Sequence, residues 1–180
     1  MNDFIPATAD VHWRGWQMDT EGLFLVPING LGGHWLPNEP KHASCLRLRI
    51  KNAHPAPQDI CNCGVYALKC GADSAAQFIG ACVFGSAYFW GIAAKKAVHS
   101  DIVRYEYAYP KHLFLKNPWF DDALIGHLAE KYSIKAVVPP KSVSKWWSSL
   151  FHFSTPHGQW TLRDGRAEWR IPGQQCGGMG

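Results

Sequence analysis

CLRLRIKNAHPAPQDICNCGVY, residues 45–66, is the stretch around which the chain is best ordered. It holds three of the six cysteines, with His54 between them. Eight residues separate Cys45 from His54, six separate His54 from Cys61, and one separates Cys61 from Cys63. Thiolate and imidazole are the ligands of structural Zn²⁺, which takes four protein donors in a closed tetrahedron. Cys61 and Cys63 are too close for an easy disulfide with each other, but Gly64 lets the chain bend so that both sulfurs face one ion. Pro55 and Pro57 stiffen the segment carrying His54 and lower the entropy cost of fixing it. The spacing predicts one structural zinc held by Cys45, His54, Cys61 and Cys63. A competing reading exists, because CxC is less specific than CxxC. In it the three cysteines are buried small apolar residues and His54 sits on a loop. Four protein ligands leave no position for a reactive water, which argues against a hydrolytic centre.

Working outward, 180 residues suit one domain, or one domain with an extension. The composition is globular, 47% hydrophobic and 18% charged. Nine tryptophans exceed what a core of this size needs, so some rings are expected to line a surface or pocket. A net charge of +4 permits an anionic partner without demanding one. The opening MNDFIPATAD lacks a signal-peptide layout. The longest apolar run, Phe78 to Ala94, is interrupted by Gly80, Gly85, Ser86 and Gly91 and reads as strands, not as a membrane span. The expectation is a cytoplasmic protein with reduced cysteines, which favours metal over disulfide.

Along the chain, Trp13 to Met18 and Leu23 to Ile28 read as the arms of a hairpin turning at Thr20-Glu21-Gly22. Residues 29–44 form a Gly/Pro-rich loop with Trp35 in its middle, as a plug over the core or a binding residue. Asp73 to Gln77 has room for one or two helical turns. Phe78 to Ala93 reads as a hairpin or one long bent strand. Ile102 to Leu115 reads as a strand broken at Pro110, with Arg104, Glu106 and Ala108 on one face and Val103, Tyr105, Tyr107 and Tyr109 on the other. Asp121 to Tyr132 is the best helix, with Asp121 as N-cap and Leu124, Ile125, Leu128 and Ala129 as its apolar stripe. Ile134 to Val138 is a short strand. Ser144 to Phe153 is expected to be a short helix carrying Trp146 and Trp147, and Gln159 to Ile171 a hairpin about Asp164-Gly165. The tail from Gly173, with Cys176, is expected to be disordered. The expected organisation is a β-rich zinc-stabilised domain over 1–138, a helix-and-hairpin extension over 139–172, and the tail 173–180.

CNCGVYALK, FWG and RYEYAYPKHLFL together resemble a family of bacterial and phage proteins, largely actinobacterial, whose activity is uncharacterised. Its members carry a GWR-like strand, a Trp-Pro loop, the pattern C…HxAP…CxCGxYA, a strand ending Trp-Gly, and a RAEYAYP-like segment. Those features fall here on Trp13 to Trp16, Trp35-Leu36-Pro37, Cys45, His54, Cys61 to Ala67, Trp90-Gly91 and Arg104 to Pro110. The resemblance covers roughly residues 10–138. Lys95 to Asp101 departs from the pattern. The resemblance strengthens the ligand set and supplies no activity. The region around Trp90-Gly91 and Arg104 to Pro110 also looks, more weakly, like the PUA-like superfamily with its EVE, YTH and ASCH domains. That implies an α+β fold, a small β-barrel with flanking helices, and in some members an aromatic pocket for a modified or flipped base.

The leading functional expectation is a non-catalytic module that binds nucleic acid or an extruded base. Trp35, Trp90 and Tyr107 would wall the pocket. Arg104 would read a base edge or a phosphate, and Lys95, Lys96 and Lys111 would hold phosphates. The competing roles are core packing for Trp90 and an ion pair with Glu106 or Asp101 for Arg104. The alternative is a phage or mobile-element accessory protein that binds a host protein or a small nucleotide. No GxSxG, HExxH, P-loop or suggestive carboxylate pair is present, so an enzyme would be of unrecognised class. No membrane partner is expected.

Overall fold

A computed structural model describes residues 3–19, 23–28, 33–45, 54–69, 83–94, 102–116, 120–140 and 159–170. Several expectations lie outside these residues: the turn at 20–22, the turns at 73–77, the start of the apolar run at 78–82, Lys95 and Lys96, the helix at 144–153, and the tail with Cys176.

Seven strands form one sheet: β1 (Asp10–Asp19), β2 (Phe24–Val26), β3 (Lys41–His42), β4 (Val65–Leu68), β5 (Val83–Ala94), β6 (Ile102–Phe114) and β7 (Lys135–Val137). β1 pairs with both β4 and β5, and β6 also pairs with both, so these four strands close a ring. β2 extends β1 as the expected antiparallel hairpin partner. β3 and β7 add to β6, the latter in parallel. The protein is thus mostly β-sheet with one short helix among the described residues, α1 (Asp122–Lys131). Among the described residues no helix is long and apolar enough to cross a membrane.

β5 and β6 are the long central strands, and both are buried on two faces over much of their length. Residues 83–94 form one strand, not a hairpin; Gly85-Ser86 marks an irregularity instead of a turn. The expected break at Pro110 is corrected. β6 runs through it, because Ser86 faces His112 while Ala87 faces Pro110, leaving Lys111 as an extra residue. A bulge is where a strand tolerates a residue without a donor N–H. The two strands approach so closely here that a Cβ on Gly85 would lie 1.9 Å from the His112 carbonyl oxygen.

The core joins Trp16, Leu25, Trp35, Phe89, Tyr109 and Leu113 to the helix stripe Leu124, Ile125, Leu128 and Ala129. Asp121 caps the helix, its carboxylate accepting from Leu124 N–H at 2.7 Å. Tyr132 ends it and knits the layers. Its hydroxyl accepts from Leu25 N–H at 2.9 Å and donates to the Trp35 carbonyl, while its own carbonyl accepts from the Tyr109 hydroxyl at 2.9 Å. A buried hydroxyl so satisfied loses little on leaving water. Arg14 is also enclosed, with its guanidinium 5.1 Å from the Trp35 ring centre and one nitrogen donating to the Tyr66 carbonyl. Burial pulls its pKa down to about 10, which still leaves it charged at neutral pH.

The second sheet is the hairpin β8 (Gln159–Arg163) and β9 (Arg166–Arg170), turning at Asp164 and Gly165, both with positive φ as a two-residue turn of this hand requires. Trp160, Leu162 and Ala167 pack on the main core, and the Asp121 N–H donates to the Trp160 carbonyl at 2.9 Å. The hairpin therefore shares its apolar surface with the first 138 residues.

Candidate metal centre

The segment from His54 to Gly64 leads into β4 and has little apolar content to bury; Ile60 is 92% exposed. It is held by directed bonds. The Arg104 side chain on β6, only 2% exposed, donates to the carbonyls of Gln58 at 3.1 Å, of Cys63 at 2.9 Å and of Cys61. Tyr66 donates its hydroxyl to the Asn62 carbonyl. Gly64 has φ +129°, and a Cβ there would lie 2.8 Å from Arg104 Cβ and 3.0 Å from Pro57 Cβ. Gly64 thus does two things: it turns the chain and lets it lie against the arginine stem.

The fold brings together the side chains of Cys45, His54, Cys61 and Cys63, with one potential donor atom from each all within 4.8 Å of one another. Zn–S and Zn–N bonds of about 2.3 and 2.0–2.1 Å imply tetrahedral edges of about 3.8 Å between sulfurs and about 3.5 Å between sulfur and nitrogen. Cys45 Sγ lies 3.8 Å from Cys61 Sγ and 3.4 Å from His54 Nε2. His54 Nδ1 is 2.8 Å from the Pro55 carbonyl oxygen. A carbonyl only accepts, so Nδ1 carries the proton and Nε2 keeps its lone pair toward Cys45 Sγ, while Cys63 Sγ lies 4.0 Å from Nδ1. A ring oriented by a backbone carbonyl in this way is the usual support of a metal-ligating histidine.

Cys45 is buried, while Cys61 and Cys63 are half-buried, with Cys63 packed against the core. Their chemistry differs as well. The Cys61 thiol is pulled down to about 6, first by the backbone N–H of Cys63 and then by His54, whereas burial above all pushes the Cys63 thiol up. Three thiolates this close repel one another unless a cation sits among them; a bound dication removes the conflict and deprotonates all three.

The other sequence-derived candidates are scattered. Trp35 is 1% exposed and stands edge-on to Trp16 in the core, and Arg104 is committed to the cysteine segment. Trp90 and Tyr107 do come together: their rings are 5.8 Å apart and within 14° of parallel. The exposed His42 stacks on the other side of Tyr107 at 4.8 Å, a member of this row that the sequence reading missed. Glu106 lies beside it, with Oε2 accepting from Ile92 N–H at 3.0 Å and Oε1 3.8 Å from His42 Nε2. Lys111 is elsewhere, over the Tyr88 ring at 5.0 Å.

Comparison with protein-family models, curated proteins and solved structures finds no match to this chain.

Proposed function

We propose that the chain is a binding module stabilised by one structural Zn²⁺ at Cys45, His54, Cys61 and Cys63. The observation that carries this reading is the agreement of the Cys45–Cys61 and Cys45–His54 separations with tetrahedral edges. Four protein donors leave the ion closed, so its role is to fix the segment on β6. Metal analysis of untagged protein should find about one zinc per chain. Cys61→Ser should lower both zinc content and melting temperature, while Cys176→Ser should change neither. Folded protein free of zinc overturns the metal.

The ligand we propose is nucleic acid or an extruded nucleobase, taken at the row His42, Tyr107 and Trp90. Parallel, half-exposed rings on a rigid sheet support stacking, and the fixed Glu106 carboxylate suits the amino edge of a base better than a phosphate. For the fold we propose a PUA-like small barrel, of which the described residues supply a ring of four strands and one short helix. Fluorescence anisotropy with single-stranded and duplex oligonucleotides should show binding that weakens as salt rises. Tyr107 is covered on both sides, so the exposed His42 ring offers the stacking face, and His42→Ala should weaken binding by about 1–3 kcal/mol. Absence of binding at low salt overturns this reading and moves the same surface, with Ile92 55% exposed beside it, to a protein partner.

A further inference from the structure

We propose that a second site, the cleft between β1, β5, β6 and β7, binds a small anion carried on an aromatic or branched apolar body. Register sets its floor. Trp13 faces Ser86 and Ser86 faces His112, one row across three strands; Lys135 of β7 faces His112 but is exposed and lies outside the lining. The bulge at Ser86/Ala87 adds Lys111 to this row. On a regular strand Lys111 and His112 would point to opposite faces, but a bulge re-aims side chains, and both line the cleft. Ser86, buried, places its Oγ 3.2 Å from His112 Nδ1, which fixes the ring and leaves Nε2 as its second polar atom.

The walls are apolar, formed by Val11, Trp13, Phe114, Val137 and Pro140, and the cleft measures about 320 Å³. That is the lower end of the range for small-molecule sites and suits one ring system better than a polymer. The charge is one-sided. No Asp or Glu lines the cleft, and among the described residues no ion pair joins Lys111, His112 or Lys135 to a carboxylate. Burial above all, then Lys111 and Lys135, push the His112 pKa down; the lining cation is Lys111, whose ammonium also lies 5.0 Å from the Tyr88 ring centre. Apolar walls around a cationic floor select a molecule with both characters. None of the metal donors and neither Trp90 nor Tyr107 lines the cleft, so this site is independent of the function proposed above.

Calorimetric titration of the zinc-loaded full chain with 2-naphthoate and its neutral analogue 2-naphthamide tests the proposal. The carboxylate should saturate at one site and bind about tenfold tighter than the amide. Lys111→Ala should remove most of that advantage, and Lys135→Ala a smaller part, with melting temperatures unchanged. Adenosine monophosphate against adenosine forms a second arm. A comparable phosphate advantage there assigns the anion to a nucleotide, and an advantage confined to naphthoate assigns it to an aryl or acyl carboxylate. No saturable binding of either anion at millimolar concentration, equal affinity for charged and neutral forms, or indifference to both lysine substitutions overturns the site.

Discussion

The ring of strands and the cysteine segment touch along β6, yet different physics holds each in place. In the ring, Phe89, Ala87, Ala108, Tyr109 and Leu113 are wholly shielded from solvent, and each large side chain contributes about 1.5–3 kcal/mol by leaving water. That force has no direction, so the ring tolerates a bulge and a proline in its central strand. The cysteine segment buries Ala56 and Pro57 but little else, and depends on donors aimed at acceptors: Arg104 on three carbonyls, with four potential ligand atoms within 4.8 Å of one another. Burial shapes the scaffold, and directed bonds attach a polar segment that burial alone cannot hold.

The largest expected effect falls on the ring. Phe89→Ala should cost about 3–5 kcal/mol in a denaturant titration, and the same with or without a zinc chelator, because the cavity lies among apolar neighbours. A cost that changes with chelation would show that the two regions fold as one unit. Arg104→Met tests the link between them. It preserves the stem against Gly64 but leaves three carbonyls without their donor, so about 2–4 kcal/mol should be lost. Here the cost should shrink under chelator, since the segment is then already loosened. Gly64→Ala should cost about 1–3 kcal/mol and weaken zinc retention, because φ +129° and the Arg104 stem both exclude a Cβ.

Local features of this molecule were readable in its sequence and distant ones were not. The Asp164-Gly165 hairpin and the Asp121 helix rest on turn and cap chemistry within a few residues. The four side chains that could hold a metal span only Cys45 to Cys63, and stiff prolines and a glycine made their meeting readable. Arg104 shows the limit. Its carbonyl partners lie 41 to 46 residues earlier in the chain, so the sequence offers only a cation on a strand with no clear outer face, which reads as a ligand contact or an ion pair with Glu106 or Asp101. Pro110 misled for a related reason: it breaks an isolated strand, but here the bulge depends on where β5 pairs with β6. Trp35 and Tyr132 are joined by a hydroxyl across 97 residues, a contact that no periodicity announces.

The smallest expected effect serves as the control on this comparison. Asp121 accepts from Leu124 N–H and caps a helix that packs on the ring and on β8 but supplies no donor to the metal centre. The carboxylate satisfies one of the helix's unpaired N–H groups, and its charge lies at the positive end of the helix dipole. Asp121→Ala should therefore cost about 1 kcal/mol, with Asp121→Asn recovering most of it because the amide oxygen still accepts. Zinc stoichiometry should stay the same in both variants, and the loss should be equal with and without chelator. If chelation altered it, the helix would be coupled to the cysteine segment through the core, and the separation between a buried scaffold and a directed attachment would fail at its most distant point.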